Sequence, residues 1–82
     1  ENMINKIDKI ITLDDGSKYM VMDQGYYDHV SYLYVSKLDQ EGNLTDTLSI
    51  FEEKEDTVTT VKDDELLKKL AEYFRKRAEK EA

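Results

Sequence analysis

Up to about residue 61 the apolar residues of this chain alternate with polar ones, and from residue 63 onward they recur every three to four positions. A period of two places side chains on the two faces of a strand, and a period near 3.6 gathers them on one stripe of a helix. The pattern therefore predicts a run of strands followed by a helix. Residues 6–13 read as the first strand, with Ile7, Lys9, Ile11 and Leu13 on one face and Ile10 and Thr12 on the other. "LDDGSK" is a turn, because Asp15-Gly16 supplies residues that tolerate the positive φ of a tight hairpin. In "KYMVMDQGYY" Tyr19 and Val21 oppose Met20 and Met22, and Gly25 marks a bulge or bend. A second turn falls at Asp28-His29. In "VSYLYVSKL" Val30, Tyr32 and Tyr34 alternate with Leu33 and Val35, so both faces carry apolar bulk, as in a central strand. "DQEGNL" is a third turn. "TDTLSIFEE" is a fourth strand, with Leu48 and Ile50 on one face and Phe51 on the other. "EEKED" is a charged loop and "TVTTV" a short edge strand.

The helix is predicted over residues 63–80. Asp63 or Asp64 serves as its N-cap, with acids in the first turn and bases in the last, as the helix dipole favours. Leu67, Leu70, Ala71, Phe74 and Ala78 form the apolar stripe, flanked by Leu66 and Tyr73. Such a stripe must cover something, and the sheet is the available surface. The expected fold is thus α+β: an antiparallel four- to five-stranded sheet in a hairpin meander, with one C-terminal amphipathic helix on one face. Residues 1–82 form a single domain, with a core on Tyr32, Leu33, Val35, Ile50, Leu70 and Phe74.

Composition narrows the function. No cysteine is present, which excludes disulfides, thiolate chemistry and cysteine-based zinc sites. No apolar run approaches the roughly 20 residues of a membrane span, and the first ten residues lack a secretory signal's apolar stretch. The expectation is a cytoplasmic protein. Net charge is −7, and it divides unevenly: residues 1–61 carry −8 and residues 62–82 carry +1. A body so acidic disfavours direct binding to nucleic acid and suits solubility or a basic partner.

The order "ITLDDGSKYMVMDQ", "YYDHVSYLYV", "GNLTDTLSIFEE", "DDELLKKLAEYF" resembles the YrzB-like family of small acidic bacterial proteins of unknown function. Ile11, Leu13, Asp15 and Gly16, then Tyr32-Leu33-Tyr34, then Ile50-Phe51, then residues 63–74 carry the likeness, which spans about residues 9–74. The chain departs from the family at Asp28-His29, where members often have glycine, and its helix is longer and more basic. The resemblance implies an α+β fold and a cytoplasmic bacterial or phage-like setting. It implies no activity.

Catalytic and metal chemistry find little footing. The one histidine, His29, neighbours Asp28, Ser31 and Ser36. Adjacent strand residues point to opposite faces, so Asp28 and His29 do not converge as a triad. "LDDGSK" and "DQEGN" lack the alternating acids and terminal bidentate glutamate of a calcium loop, and "DDGSKY" has one glycine where a phosphate loop has several. The reading is a non-enzymatic protein without metal or cofactor.

What stands out is residues 25–35, "GYYDHVSYLYV", which hold four of the six tyrosines and the histidine. Tyrosine is enriched where proteins bind one another. The expected role is a binding or adaptor domain acting through protein–protein contact, with a protein partner or a second copy. The contact is placed on the second hairpin, Tyr26, Tyr27 and His29, with both tyrosines exposed, and on the acidic stretch Glu52, Glu53, Glu55 and Asp56. The alternative is a phage-type inhibitor that mimics nucleic-acid charge in a basic groove. The helix bases Lys68, Lys69, Arg75, Lys76 and Arg77 read as a solvated face.

Overall fold

Among the described residues, five strands and one helix form from the segments that the alternation marks. The computed structural model describes residues 5–81. The strands are β1 (Ile10–Thr12), β2 (Lys18–Tyr27), β3 (Val30–Leu38), β4 (Leu44–Lys54) and β5 (Thr57–Thr60), and the helix is α1 (Asp64–Glu81). Each strand pairs antiparallel with the next, giving one sheet in the order β1-β2-β3-β4-β5. The sheet curls into a half-barrel: Ile11 of β1 and Val58 of β5 pack on the same cluster inside the curl, and α1 packs on the opposite, outer face.

Local chemistry sets the turns. The β1–β2 and β3–β4 hairpins share one construction. The Gly16 N–H donates to the Leu13 carbonyl at 2.9 Å, and the Leu13 N–H donates to the Ser17 carbonyl at 2.9 Å. Gly42 N–H to Asp39 carbonyl (3.0 Å) and Asp39 N–H to Asn43 carbonyl (2.9 Å) repeat the pattern. Gly16 (φ 89°) and Gly42 (φ 87°) occupy the left-handed position that it requires. The β2–β3 hairpin has a two-residue loop, Asp28-His29, both with positive φ (52° and 67°), the signature of a type I′ turn built without glycine. Asp63 is the helix N-cap, its Oδ1 accepting from the Glu65 N–H at 2.9 Å.

Two apolar clusters lie on the two faces of β3. On the inner face of the curl Leu33 and Val35 meet Val21 and Phe51, with Ile11, Leu13, Tyr19 and Val58 around them. On the outer face Tyr32 meets Ile50, Val61, Leu70 and Phe74. Phe74 stacks on Tyr34 with ring centroids 5.5 Å apart, and Tyr19 meets Phe51 edge-on at 5.1 Å. All six core residues named from the sequence are buried.

Three local expectations are corrected. The first strand is only three residues long. Asp8 takes φ 72° and the Lys9 N–H turns back to the Lys6 carbonyl, so residues 6–9 join β2 as a bulged approach and not as a regular strand. The β2 bulge falls at Met22, between Val21 and Asp23, and not at Gly25. Gly25 has another role: a Cβ there would lie 3.0 Å from Tyr73 Cε2 and 3.1 Å from Cζ, with the hydroxyl oxygen closer still. Its missing side chain is the seat of the Tyr73 ring. Finally, the buried stripe of α1 runs through Leu66, Leu67, Leu70, Tyr73, Phe74 and Arg77, while Ala71 and Ala78 face solvent. The large side chains settle the helix's rotation, because they offer more area to bury than alanine does.

Candidate functional site

The strand register decides which predicted residues can act together. Tyr26 pairs with Ser31, Ser31 with Glu53, and Glu53 with Val58. These side chains form one row on the inner face. Gly25, Tyr32, Glu52 and Thr59 form the adjoining row on the outer face. The two turns, Asp28-His29 and Glu55-Asp56, therefore sit at the same end of the sheet. The hairpin and the acidic stretch are neighbours, as a shared surface would need.

Within that end the individual residues separate. Tyr26 is exposed on the inner side. Tyr27 points the other way and is half-buried, its ring meeting Tyr73 edge-on at 5.5 Å, which corrects the expectation that both tyrosines are exposed. His29 is exposed in the turn. The acidic stretch divides likewise. Glu53 is largely buried and ion-paired to Lys6, and it accepts from Ser31 Oγ at 2.9 Å. Gln24 joins the group, since its Oε1 accepts from the Lys6 N–H at 2.8 Å. This inner network holds residues 6–9 across the curl. Glu52 is half-buried with Lys54 3.6 Å away, and Glu55 and Asp56 are exposed. The acidic stretch is thus partly internal scaffolding.

Arg77 also departs from expectation. Instead of facing solvent, its Nε donates to Asp23 Oδ2 at 3.0 Å and its Nη2 to Asp23 Oδ1 at 3.1 Å and to the Gln24 carbonyl at 3.0 Å. The guanidinium lies 5.8 Å from the Tyr73 ring centre. This fork clamps the C-terminal half of α1 to β2. Burial holds the Tyr32 hydroxyl above the usual tyrosine range, with the charges of Glu52 and Asp28 adding to the effect.

The sequence reading missed a second surface, at the other end of the outer face. Ile10 pairs with Met20, Met20 with Ser36, and Ser36 with Leu48. This row lies on the face that carries α1, yet none of its members joins the cluster beneath the helix. Ile10 is 53% exposed and Leu48 51%, and Leu44, paired with Leu38 nearby, is 52% exposed. The signal was present in the face assignments of Met20 and Leu48. What the pattern could not convey was where the helix stops covering.

Among the described residues no three His, Cys, Asp or Glu side chains gather where they could hold a metal ion, and no helix is long and apolar enough to cross a membrane. Comparison with family models, with curated proteins and with solved structures finds no match to this chain. The fold and the arrangement of its surfaces define the class: a small α+β domain whose outer sheet face is only part covered by its helix.

Proposed function

We propose that this chain is a non-catalytic binding domain that acts through protein–protein contact, and that the contact is made by the outer row Ile10, Met20 and Leu48, with Leu44 beside it. The observation that carries the reading is the exposure of three aliphatic side chains, each about half accessible, on one sheet face. Contiguous apolar surface left in water is the usual mark of a partner site, and each such side chain that a partner covers contributes about 1 kcal/mol. The turn end, where Tyr26 and Tyr27 face opposite sides, offers a less continuous apolar surface. A YrzB-like kinship and a cytoplasmic setting belong to the same proposal.

The test compares two variants of the full chain: Ile10→Ser with Leu48→Ser, and Tyr26→Ser with His29→Ser. A partner isolated from the source cell, or a second copy seen by light scattering, is expected to be lost by the first variant and kept by the second. Affinity should change little from about 0.05 to about 0.5 M salt, because apolar contacts are not screened. Loss confined to the turn variant would overturn the placement. A steep fall with salt would favour the nucleic-acid mimic.

A further inference from the structure

We infer that the edge of α1 beside Tyr27 is a binding groove for a planar aromatic anion of the mononucleotide class. The groove is a shallow, largely open depression of about 440 Å³ lined by Tyr27, Lys68, Lys69, Glu72, Tyr73 and Lys76. That volume lies within the roughly 300–1,000 Å³ of small-molecule sites, which combine apolar or aromatic walls with a few polar groups. It shares no residue with the outer row proposed for protein contact.

Its chemistry follows from helix spacing. Residues 69, 72, 73 and 76 stand at i, i+3, i+4 and i+7, so their side chains line one edge of α1. Lys68 widens that edge, and Tyr27 closes the groove from the end of β2. The rings of Tyr27 and Tyr73 meet at 63° with centroids 5.5 Å apart. Such a corner lets a third ring stack on one tyrosine while it meets the edge of the other. Around the corner stand three ammonium groups. Among the described residues neither Lys68 nor Lys69 has a carboxylate within ion-pair distance. Lys76 lies 3.9 Å from Glu72, whose carboxylate is already held by Arg75. The one acid that lines the groove is Glu72, and it is engaged along the helix.

The charge distribution limits the ligand's size. A chain of net charge −7, with 13 of its 19 acids in residues 1–61, repels an extended polyanion that would run past the groove. A single ring with one phosphate meets the three lysines and the arginine-held Glu72, and acids farther than about 8 Å are largely screened at physiological salt.

Titration of the isotope-labelled full chain with adenosine monophosphate, adenosine and inorganic phosphate, each followed by amide chemical shifts, tests the inference. Adenosine monophosphate should perturb residues 27 and 68–76, with affinity about tenfold above that of adenosine or phosphate, since ring and anion each contribute. Lys69→Gln combined with Lys76→Gln should lower the affinity for adenosine monophosphate about tenfold and leave adenosine unchanged. Tyr27→Leu should weaken both. No saturable shift at millimolar adenosine monophosphate, phosphate binding as well as the nucleotide, or a lysine variant equal to wild type would each overturn it. The two lysines are exposed, so that variant stands alone if Tyr27→Leu fails to fold.

Discussion

Gly25→Ala should destabilise the protein through a single ring. Gly25 lies mid-strand, where alanine is ordinarily tolerated and lowers the entropy of the unfolded chain, a gain of about 0.4–1 kcal/mol. Here the new methyl would meet Tyr73 Cε2 at 3.0 Å and Cζ at 3.1 Å. Tyr73 cannot swing away without loss, because it meets Tyr27 edge-on at 5.5 Å and Phe74 at 5.1 Å. Each such aromatic contact contributes about 0.5–1.5 kcal/mol, and overfilling a packed site costs about 1–3 kcal/mol. The balance is a net loss of about 1–3 kcal/mol, or a melting temperature lowered by about 4–24 °C in a domain this small. Thermal and urea unfolding of Gly25→Ala, Tyr73→Ala and the double variant measure it. With Tyr73 truncated the obstruction is gone, so Gly25→Ala should be neutral or slightly stabilising there, giving a coupling of about 1–3 kcal/mol. An equal loss in both backgrounds would show that the glycine is needed for its backbone and not for the ring.

Three further outcomes are expected. Because Tyr32 has its folded-state pKa raised above the ordinary value of 10.0, the folded state holds that proton more tightly than the unfolded chain. Stability should persist up to about pH 10 and fall as pH rises through the folded value, and Tyr32→Phe should flatten that alkaline limb in urea melts. Arg77→Ala should cost about 1–2 kcal/mol by chemical denaturation, since the partly exposed pair with Asp23 is two-pronged, and Arg77→Lys should recover little because an ammonium cannot reproduce the fork. His29→Gly should raise stability by about 0.5–1 kcal/mol in the same assay, since a non-glycine residue at φ 67° is disfavoured. A neutral or destabilising result would mean that His29 makes a compensating contact.

Much of the fold was legible because local signals agreed with one another. Gly16 and Gly42 fix two hairpins, Asp63 caps the helix, and the two-sided alternation of β3 marks it as central. The errors share a cause, which is that tertiary contact overrides local pattern. Arg77 reads as a surface base until Asp23, 54 positions away, is placed beneath it. Gly25 reads as a bulge until Tyr73 arrives, and Glu53 reads as part of an acidic patch until residues 6–9 fold across it. Tyr26 and Tyr27 were adjacent in sequence, and strand geometry alone sends them to opposite faces. That much could have been read from the sequence. The outer row needed the position of the helix, which no periodicity contains.

Amide hydrogen exchange on the full chain, with and without its captured partner or across a concentration series if the partner is another copy, tests the proposed contact most directly. Exchange should slow in β1, at the start of β2 and over residues 44–49, the backbone that carries Ile10, Met20, Leu44 and Leu48. The turns Asp28-His29 and Glu55-Asp56 should exchange as they do in the unbound chain. Slowing confined to those turns, with β1 and residues 44–49 unchanged, would contradict the outer face as the contact surface.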